Sequence, residues 1–231
     1  MVSVPERAGT SLPEIAELLV VCAHPDDESF GLGGVLGAFV DRGTRVRVLC
    51  FTHGEASTLG EGVALGERRA AELAAAASAL GVHGATLHAY PDGHLAEVAL
   101  EELVARIAEE AGDAELLLAF DVGGITAHPD HIAATEAALA FGTDRRLPVL
   151  GWALPEKVAA QLNAELGTSF VGRRPDELDL TVAVDRARQV TAIACHASQS
   201  TGNPVLWRRL ELLGDTEHLR WLLPPPKHRA T

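Results

Sequence analysis

Leu18–Ala23 (LLVVCA), running directly into His24-Pro25-Asp26-Asp27-Glu28, is the stretch on which the fold turns. An apolar run cut off by a proline-marked polar turn reads as a buried strand that hands its last residues to a helix start. Four further runs share that character: Val46–Thr52, Thr86–Ala89, Leu116–Phe120 and Val149–Ala153. Between them lie Leu32–Arg42, Ala64–Leu80, Glu97–Glu110 and Pro129–Phe141, Ala-rich stretches whose apolar residues recur three and four apart, as on a helix with one buried face. Strand-then-helix alternation predicts right-handed βαβ units. The expected class is therefore α/β: a Rossmann-like, open, mostly parallel sheet with helices on both faces. Glycine or proline marks the joints at Gly43, Gly81, Pro91–Gly93 and Gly142, where a helix needs a left-handed stop or the chain must turn. After these the pattern loosens into a helix over Pro155–Leu166, a strand-like Leu180–Val184, a helix over Asp185–His196 and a tail ending in Pro224–Pro226. With no linker and no internal repeat, the expectation is a single domain over residues 1–231, with 1–15 and 224–231 loosely held.

The bulk composition limits the partners. The chain has 231 residues, 47% of them hydrophobic, enough for one sizeable core. Its 32 acidic residues against 19 basic ones give a net charge of −13, which argues against a nucleic-acid backbone or an anionic membrane surface as partner. No run of about 18 uncharged apolar residues occurs, and Met1 to Pro13 lacks a cationic start followed by an apolar stretch. Cys22, Cys50 and Cys195 are odd in number and far apart, as expected of reduced, buried thiols in a cytoplasmic protein. Homo-oligomerisation is left open by these features.

In an open α/β sheet ligands bind outside the carboxyl ends of the strands. Two such ends carry metal-ligand residue types: His24-Pro25-Asp26-Asp27-Glu28 after the first run, and His128-Pro129-Asp130-His131 after Leu116–Phe120. His24 and Asp27 are three apart at a helix start, which puts them on one face, and His128 and His131 repeat that spacing. Either motif alone is also what a capped helix start looks like, because an Asp there satisfies free N–H groups and the helix dipole. Together, at two facing strand ends, they point to one ion held by two imidazoles and a carboxylate, with a position left for water. Spacing alone does not choose between Asp26 and Asp27.

The ordered motifs AHPDDE (Ala23–Glu28), SFGLGG (Ser29–Gly34), FTHGE (Phe51–Glu55), Arg69-Ala70-Ala71-Glu72, YPDG (Tyr90–Gly93), HPDH (His128–His131) and HASQ (His196–Gln199) resemble those of the LmbE/PIG-L family. That family includes deacetylases of N-acetylglucosaminyl-inositol compounds, of bacillithiol precursors and of some antibiotics. The resemblance, over roughly residues 18 to 200, implies a hydrolase in which His24, Asp27 and His131 bind zinc, or another divalent ion in vitro. It makes Asp26 the general base and His128, held by Asp130, an imidazolium that stabilises the oxyanion or protonates the leaving amine. An adjacent carboxylate would keep that imidazole charged near neutral pH. Glu55, Arg69 and Asp92 are implied to line a sugar-binding cleft. Arg69–Glu72 pairing and an Asp92–Gly93 turn are the structural alternatives. His196 is expected near the mouth of the site, with a structural role favoured over a catalytic one.

The sequence departs from the pattern at Gly123-Gly124-Ile125-Thr126-Ala127. Relatives acting on the inositol-linked precursor of mycothiol often carry a tyrosine where Thr126 stands, so a phenol that could help the oxyanion is missing. This tells against a mycothiol-type substrate and leaves the metal ligands untouched. The expected substrate is a small amino-sugar conjugate bearing an N-acetyl group. The alternatives are a larger amide, such as a thiol conjugate or an antibiotic acyl group, and a non-catalytic metal-binding module.

Overall fold

A computed structural model of the chain describes residues 9–59 and 64–226. Its strands are β1 (Glu17–Cys22), β2 (Arg45–Thr52), β3 (Gly84–Tyr90), β4 (Leu116–Phe120), β5 (Val149–Trp152), β6 (Leu154–Pro155), β7 (Gly172–Arg173), β8 (Leu180–Ala183) and β9 (Thr216–Leu223). The helices are α1 (Asp27–Phe30), α2 (Gly33–Asp41), α3 (Leu65–Leu80), α4 (Leu100–Ala111), α5 (Gly124–Ala127), α6 (Pro129–Arg145), α7 (Glu156–Leu166), α8 (Ala187–Cys195), α9 (Ala197–Ser200) and α10 (Pro204–Leu213).

Seven strands form one sheet in the order β3-β2-β1-β4-β5-β9-β8. The first five are parallel, while β9 runs antiparallel to both β5 and β8. β1 lies near the centre because its apolar run is buried on both faces. Leu18, Val20 and Cys22 join one core with Leu32, Leu36 and Phe39 of the α2 region. Leu19, Val21 and Ala23 join the other with Leu103 and Ile107 of α4 and Ala134, Ala137 and Ala138 of α6. This is the period-two alternation that a doubly covered strand requires. Cys22 and Cys50 sit opposite each other in register as buried free thiols, pushed up by burial.

The C-terminal third corrects the sequence expectation. Residues after His196, expected to be a tail, hold α10 and the eight-residue β9. Polar Glu217, His218 and Arg220 broke the apolar run that would have marked β9. Yet Glu217 is buried, and its carboxylate accepts from Trp152 Nε1 (2.6 Å) and pairs with Arg186 (2.6 Å). Gly142 does not stop α6, which continues to Arg145. The glycine is there for close packing, since a Cβ on it would lie 2.6 Å from Val149 Cγ2. Residues 9–15, expected to be loose, are tied down: Gly9 bridges to Leu180 and Leu12 is in the core. Residues 224–226 are exposed beyond β9, and 1–8 and 227–231 lie outside the described residues. No helix among the described residues is long and apolar enough to cross a membrane.

Candidate active site

The strand order reverses between β1 and β4, and the crevice at their carboxyl ends is where such a sheet binds ligands. Both expected motifs open into it. A cavity of about 440 Å³ is lined there by His24, Asp26, Asp27, Arg69, Asp92, His128 and His131, with Ala56–Leu59 and Gln199 on its rim.

The partners of the two histidines fix where their protons sit. His24 Nε2 lies 3.0 Å from Asp92 Oδ1 and 3.2 Å from Asp130 Oδ2, so the proton is on Nε2 and Nδ1 is a lone pair. His131 Nδ1 faces the Gly124 carbonyl at 3.2 Å, which leaves Nε2 as a lone pair. Those two lone pairs face each other at 3.2 Å, and His131 Nε2 lies 3.1 Å from Asp27 Oδ1. Three acceptors thus converge with no hydrogen of their own to share, and only a cation, a proton or a metal ion, satisfies them. Burial pulls the His24 pKa down, but Asp130, Asp92 and Asp27 more than offset it and push it up to about 10. Three carboxylates around one imidazole give this corner of the cavity a surplus of negative charge.

The donor set fits a divalent metal such as zinc. Bonds of ~2.1 Å in a tetrahedron place neighbouring ligand atoms ~3.4 Å apart; His131 Nε2 lies 3.1 Å from Asp27 and 3.2 Å from His24 Nδ1, and the third pair, His24 Nδ1 and Asp27 Oδ2, is 4.0 Å apart. Asp92 and Asp130 stand behind His24, and the Gly124 carbonyl behind His131, in the way outer partners orient ligating imidazoles.

Asp26 sits beside this cluster with φ 102° and ψ −24°, a left-handed conformation that costs a non-glycine residue ~1–2 kcal/mol. The fold holds it there from several sides. Its carbonyl accepts from Ser29 N (3.0 Å) and Phe30 N (2.6 Å), and its N–H donates to Glu28 Oε2 (3.0 Å). Its carboxylate receives Arg69 Nη2 at 3.0 Å. Burial pushes that carboxyl up to about 6, with the Arg69 charge restraining the rise.

Several of the expected site residues have partners other than those expected. Asp130 does not hold His128. Its carboxylate is fully buried and accepts from His24 Nε2, Gly93 N (2.8 Å) and Leu95 N (3.0 Å). His128 instead caps α6, its Nδ1 accepting from the Asp130 backbone N–H at 3.2 Å, which leaves a neutral ring with its proton on Nε2. Burial, with His131 and His24 beside it, lowers its pKa, which runs against the expected imidazolium.

Asp92 lines the cavity with one oxygen on His24 Nε2 and the other accepting from Ala56 N, so it orients that histidine from the cavity wall. Arg69 is buried and donates to the Pro25 and Gly54 carbonyls as well as to Asp26. Glu55 is exposed and accepts from Asp92 N; it lines a neighbouring cavity of about 510 Å³ with His53, Glu67 and Tyr90.

His196 is not at the mouth of the site. It is wholly buried, with Nε2 2.7 Å from Glu28 Oε1, and Glu28 is equally buried. The rest of HASQ ties down neighbours: Ser198 donates to Glu72 from its N–H (2.9 Å) and Oγ (2.6 Å), and Gln199 Oε1 accepts from Ser57 Oγ on the rim (2.6 Å). The sequence suggested no role for Glu28, Ser57 or Gln199, and offered Glu72 only as a partner for Arg69, whereas Glu72 accepts from Ser198 and Arg69 donates to Asp26, Pro25 and Gly54. The Glu28 partner lies 168 positions away, and no local spacing signals such a pair.

Two stability predictions arise here. Breaking a buried pair leaves the survivor uncompensated, so His196→Ala should lose about 3–5 kcal/mol in a denaturant titration. Burial lowers the His196 pKa, but the hydrogen bond and charge of Glu28 outweigh it and raise the net value. The stability linked to the imidazolium is then complete below an unfolded pKa of ~6.5 and is lost as pH rises through the higher native value. His196→Gln, which does not titrate, should flatten that slope. A Cβ on Gly54 (φ +64°) would lie 2.0 Å from Arg69 Nη1, so Gly54→Ala should cost about 2–4 kcal/mol, read as a lowered denaturant midpoint. An unchanged midpoint in either alanine variant contradicts the packing described.

The switch-point cavity thus brings three imidazoles and three aspartates together at the strand ends of an open α/β sheet. The chain belongs to the PIG-L family, described as GlcNAc-PI de-N-acetylase, which it matches over residues 19–141. A 1D-myo-inositol 2-acetamido-2-deoxy-alpha-D-glucopyranoside deacetylase of Kineococcus radiotolerans is 33% identical over 190 residues, 64% of this chain and 51% of that protein. The chain thus spans about half the length of that relative. The crystal structure of Dbv21, the deacetylase of the A40926 pseudoaglycone, shares 25% identity at a TM-score of 0.65, covering 89% of this chain and 96% of that one. GalB, the 4-carboxy-2-hydroxymuconate hydratase of Pseudomonas putida KT2440, superposes at a TM-score of 0.71 over 94% of this chain and 100% of its own. At 17% identity it shows a shared fold alone.

Proposed function

We propose that this protein is a metal-dependent hydrolase that removes the N-acetyl group of a small amino-sugar conjugate of the GlcNAc type. The observation that carries the proposal is the convergence of the His24, His131 and Asp27 lone pairs beside Asp26 and the His128 Nε2–H in one cavity. Family membership and relatives named as deacetylases of GlcNAc-containing compounds support the choice of amide and sugar.

His24, Asp27 and His131 would hold the metal, zinc by donor type. When bound, it lowers the pKa of water and polarises a carbonyl. The chain's own groups do the rest. Asp26 takes a proton from the attacking water as oxygen bonds to the acetyl carbon. His128 donates its Nε2–H to the carbonyl oxygen as negative charge gathers there, a task for which a neutral imidazole at a helix start is suited. Asp26 then passes its proton to nitrogen, the C–N bond breaks, and acetate and a free amine leave. Arg69 and the backbone around Asp26 keep the carboxylate aimed throughout.

Screening N-acetylated sugars and their glycosides for acetate release by metal-loaded protein tests this reading. Stoichiometric acetate and amine from a GlcNAc conjugate is the expected result, and metal-loaded protein releasing acetate from no N-acetylated sugar would contradict it.

A further inference from the structure

The buried Glu28–His196 pair is larger than a structural tie requires, because it is joined to the base. Glu28 uses both oxygens: Oε1 receives His196 Nε2 (2.7 Å) and Ser29 Oγ (2.5 Å), while Oε2 receives the Asp26 N–H (3.0 Å). Asp26 is one of four non-glycine residues with positive φ among the described residues. Its N–H therefore points away from the ordinary helix-start partners and into the protein, where an acceptor is needed. Glu28 supplies that acceptor from a fully buried position, and His196 fixes Glu28 from across the fold.

We infer that Glu28, locked by His196, is a positioning residue that holds the strained backbone of Asp26 so that its carboxylate addresses the reacting atoms. The inference rests on the proposed role of Asp26 as base and extends it. The physical requirement is strict, because a displacement of ~1 Å at a reacting group costs up to ~100-fold in rate. A left-handed residue that loses a restraining hydrogen bond has ordinary conformations to relax into.

The experiment is a double-mutant cycle on the full-length, metal-loaded protein. Glu28→Met fills the same space without an acceptor, Glu28→Gln keeps one carbonyl acceptor, and Asp26→Asn removes the base while tolerating left-handed backbone. Glu28→Met is expected to lower kcat by roughly 10–100-fold with KM and metal content unchanged. Glu28→Gln should recover most of that loss. Placed on Asp26→Asn, Glu28→Met should cost less than about twofold, because a misaimed base no longer matters once the base is gone.

A Glu28→Met loss of equal size in both backgrounds makes Glu28 merely structural and overturns the inference. So does wild-type kcat in Glu28→Met, or a change confined to KM. If instead Asp26→Asn alone has wild-type kcat, the reading of Asp26 as base fails first, and the two failures are thereby told apart. Should Glu28→Met not fold, hydrogen exchange of the Asp26 amide in the wild-type protein decides. The inference requires a protected amide, and exchange at the rate of an exposed loop overturns it.

Discussion

Asp26→Asn is expected to lower kcat by ~10²–10⁴-fold while the protein keeps its metal and its fold. The side chain touches the cavity and its carboxyl is pushed up to about 6 by burial, yet it makes none of the contacts that join His24, Asp27 and His131. Removing a base whose neighbours remain in place affects the chemical step. KM should therefore stay within a few-fold, because the surface that binds substrate is unaltered. Loss of metal along with activity would make Asp26 a ligand, and the roles assigned to the two aspartates would then be reversed.

Loss of a ligand should be more severe. His24→Ala deletes one of three converging lone pairs and leaves Asp92 and Asp130 facing each other without the imidazole between them. Metal content is expected to fall from one per chain to none after dialysis, with turnover falling alongside it. Asp92→Asn is the graded counterpart. It keeps all three ligands but weakens an outer partner, a change typically worth ~10–100-fold in metal affinity. Metal analysis with competition by a chelator separates the two variants. A His24→Ala protein with unaltered stoichiometry would reject this ligand set.

The parallel half of the fold was legible because β1, β4 and β5 are buried and read as apolar runs, and β2 does so from Val48 onward. β9 was not, since its polar residues Glu217, His218 and Arg220 interrupt the run, and Glu217 finds Arg186 and Trp152 only once the sheet is assembled. At the site, His24, Asp27 and His131 could be placed from spacing and resemblance because they sit at two strand ends. The motif around His128 also gave its position correctly. It did not show the partners, because sequence neighbours do not reveal which way a carboxylate points. Asp130 turns to His24 and leaves His128 as a helix cap. Asp92 and Arg69 were expected to line a cleft, and both do line the cavity, while also pairing with His24 and Asp26, which no sequence spacing signals. His196 and Glu28 lay in quoted motifs, but the buried pair that gives them meaning joins opposite ends of the chain.

The most direct test of metal-assisted deacetylation is acetate release from a GlcNAc glycoside by protein stripped with a chelator, titrated with zinc and read beside bound metal. Turnover is expected to be absent at zero metal, to rise in proportion to occupancy and to level off at one equivalent per chain. Equal turnover by stripped and loaded protein would contradict the account, as would full occupancy of the His24, Asp27 and His131 site without acetate release from any N-acetylated sugar.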